Sequence, residues 1–154
     1  MNWLIDTNVL SELRKGERAD ARARAWYAGT PAEELYTSVL VLGEVRRGIE
    51  SIRRRDAIAA TALEQWLGRI LNGFADRILP IDAAVADRWG ALNVPDPVPP
   101  VDGLLAATAL VHDLVLVTRN VRVTSTRSWT SAVLVTRNVR DVSGTGVRVL
   151  DPTA

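Results

Sequence analysis

Short apolar runs alternate with longer segments that carry hydrophobic residues at helical spacing, and this alternation is typical of α/β proteins. The apolar runs predict strands at residues 3–5, 35–38, 78–81, 114–118 and 147–150. The segments between them predict helices at residues 20–27, 39–49, 56–72, 83–92 and 104–111, preceded by a short helix capped by Thr7 or Asn8. Alternating units of this kind predict a mostly parallel sheet with helices on both faces.

Three acidic residues stand out because each ends or interrupts an apolar stretch. Asp6 directly follows the first strand, Glu44 lies beside the apolar stripe of its helix, and Asp102 precedes an almost wholly apolar helix. Ligands of open α/β sheets bind outside the carboxyl ends of the strands. We therefore expect the three carboxylates to meet at that edge, although Asp102 taken alone is equally well explained as a helix cap.

The composition is that of one folded domain. The chain has 154 residues, of which 47% are hydrophobic and 24% charged, with a net charge of +1. All but one of the 19 basic residues are arginines, which suit phosphate contacts, although solvated helix faces explain them as well. No leader pattern and no apolar run near the ~20 residues of a membrane span is present, so we expect a cytoplasmic protein without membrane contact.

The residue types also restrict the chemistry of any metal site. The chain has no cysteine and one histidine, which leaves oxygen ligands and favours Mg²⁺ or Mn²⁺ over zinc. Converging carboxylates repel one another unless a cation lies between them. Because such cations activate water and stabilise charge on a phosphodiester, the acids point to metal-dependent phosphoester hydrolysis.

Four segments, taken in order, resemble the PIN domain family, and most closely the VapC and FitB toxins of bacterial toxin–antitoxin pairs. They read IDTNVL at residues 5–10, LGEVRRGI at 42–49, DGLLAATA at 102–109 and VTRNVRD at 135–141. The resemblance covers nearly the whole chain and implies a single PIN domain over residues 1–154. The fold that it implies is a three-layer α/β/α sandwich.

The resemblance also implies a function and a set of roles. It implies a Mg²⁺- or Mn²⁺-dependent ribonuclease that cleaves structured or transfer RNA, forms a homodimer and is held inactive by a cognate VapB-type antitoxin. The family's acidic positions correspond to Asp6, Glu44 and Asp102 as metal-binding acids, and to Asp141 as a fourth catalytic acid. Thr7 and Asn138 match positions that support these acids by hydrogen bonding.

A tandem duplication separates this chain from the family pattern. The sequence LVTRNVR at residues 116–122 recurs at 134–140, with an insert around residues 118–135. Only the second copy is followed by an acid, Asp141, whereas Val123 follows the first. Either the first copy keeps the strand and the site lacks one acid, or the second copy takes the strand and Asp141 reaches the site. The link to the last strand slightly favours the second arrangement.

Two other functions compete with this interpretation. An aspartyl-phosphate enzyme needs a second aspartate two residues after the first, and here that position is Asn8. A catalytically impaired module that binds RNA or the antitoxin remains an alternative, because the duplication could spoil the site. Arg46 or Arg47 either meets substrate phosphate or pairs with a neighbouring acid, and the sequence does not distinguish these roles.

Overall fold

The computed structural model describes residues 1–118, 134–135, 148–150 and 152. Every structural statement below refers to these residues. The predicted site residues Asn138 and Asp141 lie outside them, as does Val123.

The described strands form one parallel sheet. They are β1 (Trp3–Ile5), β2 (Leu35–Ser38), β3 (Ile78–Leu79), β4 (Val115–Val117), β5 (Leu134–Val135) and β6 (Val149–Leu150). Their order across the sheet is β3-β2-β1-β4-β6-β5, and each pairing among them is parallel. In β1 and β4, Leu4, Ile5, Val115 and Val117 are wholly buried, as expected for central strands covered on both faces.

Six helices accompany the strands. They are α1 (Thr7–Leu13), α2 (Ala21–Gly29), α3 (Val39–Arg53), α4 (Ala57–Phe74), α5 (Ala83–Leu92) and α6 (Pro100–Val111). Polar side chains cap the first five by accepting backbone N–H groups of the first turn, and these caps are Asp6, Asp20, Ser38, Asp56 and Asp82. The cap of α1 is thus Asp6, whereas the sequence had suggested Thr7 or Asn8.

The helices flank the sheet in two groups. Helices α3 and α4 pack on each other and on β2, while α5 and α6 pack on each other and α6 contacts β4. The predicted three-layer α/β/α sandwich with a parallel central sheet is confirmed. Because β1 lies between β2 and β4, the residue that follows β1 emerges in the middle of the sheet edge.

Helix α6 begins four residues before its predicted start. Pro100 occupies its first turn, where a missing N–H costs nothing because first-turn N–H groups have no partner within the helix. Asp102 is therefore a first-turn residue of α6 and not its cap, which is Pro99. Pro80, in contrast, follows the last residue of β3, and β3 is an edge strand as the proline predicted.

The first copy of the duplicated sequence supplies the strand beside β1. Strand β4 contains Leu116 and Val117 of the first copy, and the Asp6 backbone N–H donates to the Val117 carbonyl at 3.0 Å. The second copy contributes β5, which pairs with β6 at the sheet edge. The slight preference for the second copy was therefore wrong, and the short link from α6, with its low loop-closure entropy, explains why the first copy occupies the centre.

A helix that crosses a bilayer needs about 20 predominantly apolar residues. Over the part of the chain that the structure describes, no helix is both long and apolar enough to cross a membrane.

Candidate active site

Asp6 lies where β1 runs directly into α1 without an intervening loop. Its backbone N–H still belongs to the sheet through Val117, while its side chain already caps the helix by accepting the Val9 N–H at 2.9 Å. A short apolar strand followed at once by a capping residue produces this junction. The carboxylate is thereby fixed at the carboxyl edge of the central strand, as the sequence predicted.

The environment of Asp6 favours its neutral form. The residue is only 6% exposed, and burial raises the pKa of its carboxyl group to about 7. This pKa is the net result of burial and the nearby Glu44 charge, which raise it, and of hydrogen bonds from Thr118, the Val9 N–H and Asn8, which lower it. Among the described residues, no cation contributes to this shift. A buried carboxylate with a like charge beside it is a favourable position for a bound cation.

Glu44 is held opposite Asp6 by a contact between two helices. The Thr7 hydroxyl, on α1, donates a hydrogen bond to the Glu44 Oε2 atom on α3. Thr7 and Glu44 are both half-buried, and Val45 beside Glu44 is in the core. The predicted supporting role of Thr7 therefore has a direct geometric basis in a bond to a carboxylate that neighbours Asp6.

Asp102 stands in the first turn of α6, where a carboxylate interacts favourably with the helix dipole. The helix packs tightly at this point, because a Cβ atom on Gly103 would approach the Trp89 ring of α5 to 3.0 Å. Within residues 1–118 and the other described positions, no three acidic, histidine or cysteine side chains form a group that could hold a metal ion. The structure thus joins Asp6 and Glu44 electrostatically, and the metal-binding role of Asp102 stays a prediction.

Arg46 forms ion pairs with two acids on the surface of α3 and α4. Its guanidinium lies 3.2 Å from Glu50 Oε1 and 2.6 Å from Glu64 Oε1, and Arg53 bonds to the same two acids. Hydrogen bonds from Arg53 and Arg46 hold the pKa values of Glu50 and Glu64 below their usual range. Of the two roles considered for Arg46, the structure displays the pairing with neighbouring acids.

Sequence reasoning missed Thr118 as a support of the site. This residue follows β4 and hydrogen-bonds to the Asp6 carboxylate. Thr118 begins the sequence TRN (Thr-Arg-Asn) in the first copy of the duplicated segment. The sequence therefore contained a signal for its role, but that role had been assigned to the TRN of the second copy, which contains Asn138. Thr118 shows that the first copy, and not only its strand, contacts the site.

Comparison with known proteins identifies the family. Residues 3–127 match the sequence profile of the PIN domain. The chain belongs to the PIN domain family. The resemblance noted in the sequence is therefore confirmed over most of the chain, and the matched region contains the first TRN copy but ends before the second.

Individual proteins also resemble the chain in sequence and in structure. The chain is 32% identical to the VapC ribonuclease Y4jK of Sinorhizobium fredii over 124 residues, which cover 76% of this chain and 86% of that protein. Its fold matches FitAcB from Neisseria gonorrhoeae with a TM-score of 0.74 and 27% identity over 97% of each chain. A toxin–antitoxin complex from Klebsiella pneumoniae matches with a TM-score of 0.57 and 29% identity, covering 77% of this chain and 87% of that one.

The donor set of this PIN domain is compatible with a hard divalent cation. Asp6 and Glu44 present carboxylate oxygens, the ligand type that Mg²⁺ and Mn²⁺ prefer. A cation beside the pair would offset both the burial of Asp6 and its repulsion from Glu44. Water molecules or further oxygen donors would complete the coordination, since Mg²⁺ usually keeps several waters beside one or two carboxylates.

Proposed function

We propose that this PIN domain protein is the toxin of a type II toxin–antitoxin pair and acts as a Mg²⁺- or Mn²⁺-dependent endoribonuclease. The observation that carries the proposal is the Asp6–Glu44 pair, in which a buried acid with a raised pKa lies beside a second acid at the edge of the central strand. Two acids arranged in this way favour the binding of a cation and do not favour the stability of the fold. The ribonuclease name of the Sinorhizobium relative supports the choice of RNA.

The proposed metal ligands are Asp6, Glu44 and Asp102, with Asp141 as the fourth acid of the site. When bound, the divalent cation would activate a water molecule and stabilise the charge that develops on the phosphodiester. Asp6 lies with Glu44 at the carboxyl edge of β1, and Asp102 lies in the first turn of α6, the helix that precedes β4. Coordination of the cation by each of the four acids is part of the proposal.

The neighbouring groups of the chain prepare the acids for this role. The Val9 N–H and the Thr118 hydroxyl fix the Asp6 carboxylate and favour its ionised form, which opposes the effect of burial. Thr7 orients Glu44 by donating to one of its oxygens and leaves the other oxygen for a ligand. With a pKa of about 7, the Asp6 carboxyl is partly protonated near pH 7. Binding of a cation there would therefore release a proton.

The proposal includes the substrate class and partners. We propose that the chain hydrolyses structured or transfer RNA, forms a homodimer and is inhibited by a cognate VapB-type antitoxin. The Klebsiella neighbour, described as a toxin–antitoxin complex, supports the antitoxin.

The test is RNA cleavage by the purified protein. Incubation of total RNA with the protein and Mg²⁺ or Mn²⁺ should yield discrete fragments, and EDTA should prevent their formation. Asp6→Asn should abolish cleavage because it removes the charge while keeping a side chain that caps α1 equally well.

A matched variant separates a specific effect from a general loss of charge. Asp87 is an exposed acid on α5, and Asp87→Asn should leave the fragment pattern and rate unchanged. Cleavage by the purified protein that survives both EDTA and Asp6→Asn would show that the activity needs neither the cation nor this acid, and would overturn the proposal.

The position of the first copy favours one second candidate, a PIN domain that binds RNA or antitoxin without turnover. The strand beside β1 belongs to the copy that is followed by Val123, whereas Asp141 follows the copy at the sheet edge. RNA that stays intact with both metals but is retained in a binding assay would favour this candidate. In that case Val123→Asp, which gives the first copy the acid of the second, should introduce EDTA-sensitive cleavage, and Val123→Asn should not.

A further inference from the structure

A cleft of about 230 Å³ opens directly beside the Asp6–Glu44 pair. Thr7 and Glu44, which are hydrogen-bonded to each other, form one end of it. The remaining lining comes from α1, α3 and α4 and consists of Ser11, Arg14, Val45, Gly48, Ile49, Ile52, Leu63 and Trp66. The cleft therefore reaches Glu44, one acid of the pair, and does not form a separate surface pocket.

The walls of the cleft combine an apolar floor with a polar rim. Thr7 and Ser11 of α1 and Arg14, the residue that caps its C-terminus, follow one another at spacings of four and three, which places all three on one face. Helices α3 and α4 contribute aliphatic side chains and the Trp66 indole. A ligand with a flat apolar body and polar edges matches this division, whereas a fully charged or fully aliphatic ligand does not.

Two planar side chains, Arg14 and Trp66, meet in the lining of the cleft. The Arg14 guanidinium lies over the Trp66 ring, with 5.4 Å between its central carbon and the ring centroid. Tryptophan rings and arginine guanidinium planes are surfaces on which unpaired RNA bases stack. The positive charge of Arg14 also complements the phosphate that links a stacked base to its neighbours.

We propose that this cleft binds the base of a ribonucleotide adjacent to the phosphate held at the Asp6–Glu44 pair. The proposal rests on the proposed ribonuclease function and extends it by assigning a subsite for an unpaired nucleotide. Because Glu44 itself lines the cleft, a base held there belongs to a nucleotide beside the reacting phosphate, and the Ser11 hydroxyl provides a polar contact for the base edge. The cleft then contributes to the choice of cleavage position.

Gly48 offers a way to close the cleft without altering the acids. It lines the cleft, and a Cβ atom built on it meets no other atom within 4 Å, so a larger side chain has room to extend from α3. Gly48→Leu should fill part of the cleft while raising the helix propensity of α3. Gly43→Leu is the matched control, because Gly43 lies on the same helix, is exposed, has the same open surroundings and does not line the cleft.

The first measurement is binding, which does not depend on cleavage. The four ribonucleoside 5′-monophosphates are titrated into the full-length protein with Mg²⁺, and tryptophan indole N–H resonances are followed by NMR. Trp66→Phe identifies the Trp66 signal, which should shift on titration. Affinity should fall by about tenfold or more in Gly48→Leu and remain unchanged in Gly43→Leu. A Trp66 signal that does not move, or equal affinity in both leucine variants, would overturn the proposal.

The second measurement is cleavage of RNA by the same variants. Gly48→Leu should raise KM or change the cut positions, whereas Gly43→Leu should reproduce the wild-type pattern. Binding of monophosphates in the cleft without any RNA cleavage would support the subsite and count against the ribonuclease. Cleavage with an identical pattern and KM in both variants would support the ribonuclease and overturn the subsite. Gly48→Ala, which is the smaller change and a better helix former, confirms that any loss does not come from unfolding.

Discussion

A carboxylate is buried at each end of α1, and the two carboxylates have different electrostatic partners. Asp6 at the beginning is 6% exposed and Glu12 near the end is 4% exposed. Glu12 lies 2.5 Å from the Lys15 ammonium and accepts the Asp20 N–H at 2.9 Å. Asp6 accepts hydrogen bonds from uncharged donors and faces the negative charge of Glu44.

This difference distinguishes a structural acid from a functional one. The charge of Glu12 is balanced within the fold, so its burial ties the end of α1 to the segment that enters α2. Among the described residues, no cation contributes to the pKa of Asp6 and balances its charge. Burial therefore raises that pKa to about 7. A fold retains such an unbalanced acid at a cost in stability when a ligand supplies the missing positive charge.

The largest expected effect is a gain of stability when Asp6 loses its charge. A folded-state pKa of about 7 against an ordinary value of 3.8 means that folding favours the protonated acid. Stability should therefore fall as pH rises from about 4 to 7, and the loss is complete above the folded-state pKa. In EDTA at pH 8, Asp6→Asn should be more stable than the wild type by up to about 4 kcal/mol, measured by urea unfolding.

The pH dependence provides the control for this variant. Near pH 4 the difference should nearly vanish, because Asp6 is then protonated in the folded protein, and the asparagine keeps the helix cap. Added Mg²⁺ should stabilise the wild type and not the variant. An Asp6→Asn variant that is less stable than the wild type at pH 8 in EDTA would place Asp6 in the same class as Glu12.

Glu12 should show the opposite behaviour. Glu12→Gln removes the charge that Lys15 needs and weakens the bond to the Asp20 N–H, so it should destabilise the protein by about 2 kcal/mol. The same urea experiment measures it. Lys15→Met, which removes the half-exposed partner, should cost less, and the double variant should cost less than the sum of the two. Strict additivity would show that the Glu12–Lys15 pair contributes nothing.

The sequence predicted Asp6 because its signal is local. A short apolar run that ends in a capping residue determines both the strand end and the start of the helix, and no distant contact is needed. The burial of Glu12 was not predictable in this way. Its environment depends on a contact with Asp20, eight residues away, and on the path of the chain between α1 and α2.

The duplication was the least predictable part of the fold. Both copies have the same local preference for a strand, because residues 116–122 and 134–140 are identical. Only competition for the place beside β1 decides between them, and that is a property of the whole chain. The site was predictable in part: the position of Asp6 and the Thr7 contact with Glu44 follow from α1 and α3, whereas the support from Thr118 depends on which copy occupies the sheet.

A pair of threonine variants tests which copy of the duplicated sequence lies beside β1 and supports Asp6. Thr118→Val removes a hydrogen bond that favours the ionised form of Asp6, so the pKa of Asp6 should rise further. At pH 8 in EDTA the variant should lose about 1 kcal/mol of stability, with a smaller loss at pH 5. Thr136→Val changes the equivalent residue of the second copy and should have no such pH-dependent effect. The reverse result would show that the second copy serves the site in solution.

The smallest effect is expected for the balanced charges on the surface of α3. Arg46 is held by Glu50 and Glu64, and hydrogen bonds to these acids raise the pKa of its guanidinium. Because its charge is already engaged, Arg46→Gln should leave the unfolding midpoint and the salt dependence of RNA binding nearly unchanged. Arg47→Gln, an exposed neighbour on the same helix, provides the comparison in both measurements. A log–log salt slope reduced by about one unit in Arg46→Gln alone would show instead that RNA phosphate displaces the two acids.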